Sequence, residues 1–83
     1  MTIADFKALS PREQLLRLSD AERREPYAGD ASISDLIDAF DERLRTLSSP
    51  EIVELLAHAA GGLATDDEHA YWCCVNELHR RVD

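Results

Sequence analysis

Apolar residues return at helical spacing along most of this chain, and no run alternates as a half-buried strand would. The clearest case is Ser32 to Leu47. There Ile33, Leu36, Ile37, Phe40, Leu44 and Leu47 fall on one stripe at 3.6 residues per turn, and Asp35, Asp38 and Glu42 fall on the opposite face. Sixteen residues at about 1.5 Å each make a rod of roughly 24 Å, long enough to cross a small domain. One face of this helix asks for a core, and the other presents carboxylates.

The remaining segments carry their own start and stop signals. Thr2 with Asp5 predicts a short helix to about Leu9, with Ile3, Phe6 and Leu9 apolar. Ser10-Pro11-Arg12-Glu13 is a capping box with proline at the first helical position, followed by Leu15, Leu16 and Leu18. Ser19 and Glu22 form a second box, so the segment over 11–25 is either one helix or two before Pro26 ends it. Tyr27 to Asp30 reads as a loop. Ser49-Pro50 opens another helix, with Ile52, Val53, Leu55, Leu56, Ala59 and Ala60 as a broad apolar face, and Gly61-Gly62 stops it. Thr65 and Glu68 cap a last helix from Asp66 to about Arg81, with Tyr71, Cys74, Val75, Leu78 and Val82 as its core stripe. The expectation is an all-α compact bundle of about four main helices plus one or two short N-terminal helical turns, a single helical domain over 1–83. At 83 residues the core supports a stability of only a few kcal/mol.

Charge adds a second pattern. Residues 1–29 and 69–83 are each neutral, whereas 30–68 holds ten acids against Arg43 and Arg45 and so carries the whole net charge of −8. First-turn positions account for Asp35, Glu51, Asp66, Asp67 and Glu68, where a carboxylate offsets the positive end of the helix. Asp38, Asp41, Glu42 and Glu54 lie beyond the first turn. Asp38 and Glu42 repel each other at i, i+4 at a cost of a few tenths of a kcal/mol. Such a surface repels phosphate, which disfavours direct binding of nucleic acid or of an anionic membrane, and it favours a basic protein partner. Eight arginines to one lysine suggest a GC-rich bacterial or phage gene.

Candidate chemistry changes this picture little. Cys73 and Cys74 are adjacent in a helix and cannot bond to each other there, so reduced thiols are expected. His69 and Cys73 share a face at i, i+4, but His79 projects elsewhere and the four ligands of a structural zinc site are not assembled. No metal, cofactor, phosphate-binding loop or catalytic constellation is expected, and the chain does not read as an enzyme. With neither a signal peptide nor an apolar run of spanning length, the expected location is the cytoplasm.

The expected function is therefore binding. In size and charge the chain is broadly like nuclease-immunity and anti-CRISPR proteins, although it shares no motif with either. An inhibitor or adaptor would set Asp35, Asp38, Asp41, Glu42, Glu51 and Glu54 on a basic surface of a nucleic-acid-handling complex, with nucleic-acid mimicry as one mode and Trp72 or Tyr27 as an apolar anchor. The alternative is a homodimer that buries Trp72 and apolar surface left over on the helix at 50–60.

Overall fold

The computed structural model describes residues 2–23, 32–58 and 69–82. They form five α-helices and, among these described residues, no strand: α1 (Ile3–Lys7), α2 (Pro11–Arg23), α3 (Ile33–Arg45), α4 (Ser49–His58) and α5 (His69–Arg80). No helix among them is long and apolar enough to cross a membrane. The loop expected at Tyr27–Asp30, the Gly61-Gly62 stop and the Thr65–Glu68 box lie outside the described residues.

Helix α3 is the centre of the packing, in contact with α1, α2 and α5, while α4 closes on α5 and, less extensively, on α2. Its stripe behaves as the spacing requires. Leu36, Phe40 and Leu44 are buried with Ala39, and Ile33, Ile37 and Leu47 pack on the margin. Phe6 of α1, Leu15 and Leu18 of α2, Ile52 and Leu55 of α4, and Ala70, Cys73 and Cys74 of α5 complete one apolar cluster. Burying a large side chain of this kind contributes about 1.5–3 kcal/mol.

The helix starts are set by local hydrogen bonds. Thr2 and Asp5 form the expected reciprocal box. Ser10 Oγ accepts from Glu13 N, and Ser32 Oγ accepts from Asp35 N at 3.1 Å. Helix α4 begins one residue earlier than its Ser-Pro signal suggests. Ser48 is the cap: its Oγ accepts from Glu51 N, and the Glu51 carboxylate accepts from both Ser48 N and Ser48 Oγ. Proline thus sits at the second helical position, where its missing N–H is still no loss.

One open alternative is decided and two expectations are corrected. Helix α2 runs unbroken to Arg23, and Ser19 is fully buried on its inner side instead of capping a new turn. Val53 is 53% exposed, so the inner face of α4 is narrower than the apolar count implied. On α5 the buried residues are Ala70, Cys73, Cys74 and Glu77, while Tyr71, Val75 and Leu78 are only partly buried and Val82 is 81% exposed. The helix is rotated from its predicted stripe because small Ala70 and Cys73 allow close approach, and because Glu77 has a partner inside.

That partner is Arg81. Its Nε donates to Glu77 Oε2 at 3.0 Å, Nη1 to Ser49 Oγ at 3.2 Å, and Nη2 to the Leu44 carbonyl at 2.9 Å. One guanidinium therefore joins the end of α3, the start of α4 and the last turn of α5, and it neutralises a buried carboxylate. Arg80 lies 3.6 Å from the same carboxylate on the outside. Helix α1 is held similarly, with Gln14 Nε2 donating to the Phe6 carbonyl at 2.9 Å and Arg43 Nη2 donating to the Leu9 carbonyl.

Arg81→Met is expected to destabilise the fold by about 2–3 kcal/mol, because it strands Glu77 in the interior. Urea unfolding measures this. A loss below about 0.5 kcal/mol, the level of a surface ion pair, would contradict the role given to this guanidinium.

Candidate partner-binding face

The packing of α3 decides which carboxylates are available. With Leu36, Ala39, Phe40 and Leu44 turned inward, Asp35, Asp38 and Glu42 stand exposed on the outer side. They meet α1 across a cleft of about 310 Å³ lined by Ile3, Lys7, Asp35, Asp38, Ala39 and Glu42. Lys7 Nζ approaches Glu42 Oε2 at 3.9 Å, with both side chains more than half exposed. Such a pair contributes little and is readily exchanged for another partner. Asp35 and Asp38 form no ion pair among the described residues.

Other acids of the expected set lie elsewhere. Asp41 is half-buried, and its charge lies close enough to Cys73 and Cys74 to push both thiols up, so it is turned towards α5 and away from the outer face. Glu51 and Glu54 are exposed on α4 and line a separate groove of about 220 Å³ against Pro11 and Arg12 of α2. Glu51 also completes the capping box of α4, and the Ser48 N–H and then its hydroxyl hold the carboxyl below the usual range. The six acids are thus divided between two surfaces and one interior contact.

Trp72 is 47% exposed on α5 and meets Tyr71 edge to face, ring centres 5.4 Å apart. Tyr27 lies outside the described residues.

The histidine–cysteine pair does not converge on one ligand. His69 Nδ1 lies 2.6 Å from Glu22 Oε1, and the same carboxylate accepts from His69 N. Glu22 of α2 thereby holds the first residue of α5, a link that neither residue's neighbours in the sequence announce. Among the described residues, no group of three or more His, Cys, Asp or Glu side chains is placed to hold a metal. Both cysteines are free and buried. Burial, and then the Asp41 charge, push both thiols up, Cys74 to about 12. That is the reverse of what a nucleophilic cysteine needs.

No protein-family model, curated protein or solved structure matches the chain. The face therefore has to be interpreted from its own geometry.

The thiols give a test of this arrangement. The folded protein holds their protons more tightly than the unfolded chain, so their contribution is full below the ordinary value of 9.0 and is lost as pH rises towards about 12. Melting temperature is expected to fall steeply above pH 9, and iodoacetamide at pH 8 is expected to alkylate the thiols only after unfolding. Rapid alkylation of the native protein would contradict their burial.

Proposed function

We propose that this protein is a small acidic binding protein, an inhibitor or adaptor that docks the outer face of α3 on a basic surface of a nucleic-acid-handling protein complex. The observation that carries this is the exposed trio Asp35, Asp38 and Glu42 beside the cleft with α1. The trio spans eight residues, seven helical steps or roughly 10 Å of helix axis, which is about 5 Å per charge. One strand of B-DNA places a phosphate every 3.4 Å or so. The face thus offers charge at somewhat over half the density of a strand, across a length of about three phosphates. That favours local mimicry at one phosphate-binding patch over occupation of a long channel. Glu51 and Glu54 add to the field that steers a basic partner inward, and Trp72 supplies apolar contact area.

A second reading is self-association. It is favoured by Val53 and Trp72, two large apolar side chains that remain about half exposed. A homodimer of that kind is insensitive to salt and weakens when Trp72 becomes alanine.

The test is capture of a partner from host lysate at low salt, repeated with Asp38→Lys, Glu42→Lys. The wild-type protein is expected to retain a basic protein that is released at ~0.5 M salt, where screening shortens to a few Å. The double variant is expected to lose it with helicity unchanged by circular dichroism. Unchanged capture by the variant would overturn the reading, and capture of the protein by itself alone would favour the dimer.

A further inference from the structure

The cleft between α1 and α3 continues along α3 towards its C-terminal end. One part is lined by Asp35, Asp38 and Glu42, and an adjoining part, of about 190 Å³, is lined by Gln14, Arg43 and Thr46, with Lys7, Ala39 and Glu42 shared between the two. Gln14 is only 1% exposed. Its Nε2 is satisfied by the Phe6 carbonyl, but its Oε1 has no hydrogen-bond partner among the described residues, and neither does Arg43 Nε. A buried acceptor and a buried donor, both unsatisfied, therefore belong to side chains that line one end of a cleft whose other end is acidic. Buried polar atoms are nearly always paired, so an unpaired donor and acceptor together mark a place where a complementary group fits.

A peptide group is complementary to such a pair, since its carbonyl can accept from Arg43 Nε and its N–H can donate to Gln14 Oε1. A cationic side chain is complementary to the outer carboxylates, and Lys7 already occupies that position loosely beside Glu42. From Asp35 to Arg43 the cleft follows α3 for about 12 Å, the length of three or four extended residues. Resting on the proposed docking role, we infer that the cleft seats a short extended segment of the partner. Its arginine or lysine lies against Asp38 and Glu42 in place of Lys7, and one of its main-chain amides reaches Gln14 and Arg43 as the exposed Lys7 and Glu42 side chains move aside.

The experiment is an amide-resolved NMR titration of the whole protein at low salt. The probe is a short blocked peptide alternating arginine and glycine, with spermine as a cation that lacks peptide groups. The peptide is expected to shift the Lys7, Ala39 and Arg43 amides and the Gln14 side-chain amide, and to bind about tenfold more tightly than spermine. Glu42→Gln is expected to weaken the peptide about tenfold, whereas Glu54→Gln, which removes the same charge from the other groove, leaves binding within about twofold. Equal loss in the two variants, or equal binding of spermine, overturns the cleft but leaves acidic docking standing. If neither probe binds and charge reversal on α3 leaves partner capture intact, the docking role falls as well.

Discussion

The structure depends on one helix having three neighbours on the same side. Because α1, α2 and α5 all pack against α3, burial of Leu36, Ala39, Phe40 and Leu44 fixes the rotation of that helix about its axis. The uncovered surface is consequently left to solvent, and Asp35, Asp38 and Glu42 fall along its edge beside α1. The position of the acidic face is therefore a consequence of core packing, and no separate element is needed to present it. Two arginines lock the same helix near its C-terminus: Arg43 reaches back to the end of α1, and the Leu44 carbonyl receives Arg81 from α5. Both charges are spent on backbone carbonyls and on Glu77, which leaves the outer carboxylates of α3 with little local compensation.

Carboxylates in this protein do three different jobs. Asp5 and Glu51 complete capping boxes, each accepting a backbone N–H at a helix start. Glu22, Asp41 and Glu77 are drawn inward, towards His69, Cys73 and Arg81. Asp38, Glu42 and Glu54 do neither and remain on the surface. Net charge alone overstates the available face, since several of the acids that give the chain its negative balance are committed to structure. What remains is a small, concentrated patch, better matched to a local basic site than to an extended one.

Much of this could be read in the sequence, for identifiable reasons. The α3 stripe was legible because large apolar residues at strict helical spacing leave only one inward orientation. The caps at Thr2, Ser10 and Ser32 were legible because they act over three residues. The buried face of α5 departs from the stripe of large apolar residues because the small size of Ala70 and Cys73 is what permits close helix contact, and because a glutamate is not expected inside without its arginine. Glu22 with His69 and Arg81 with Leu44 are separated by 47 and 37 residues, and nothing local in either segment announces such pairing. Asp41 is turned away from the outer carboxylates for a related reason. It follows Phe40 in the sequence, and a rotation of about 100° carries it to the α5 side of the helix. The unsatisfied atoms of Gln14 and Arg43 could not be foreseen either, since they exist only where α1, α2 and α3 meet.

The central claim is that a folded helix face, and its charge in particular, recruits the partner. The most direct measurement is the association rate constant for the captured partner as a function of ionic strength, from about 50 to about 500 mM salt. A fall of at least about tenfold across that range, with a much smaller change in the dissociation rate, is the predicted result for electrostatic steering onto α3. An association rate that does not change with salt would contradict the account and show that the carboxylates of α3 do not recruit the partner.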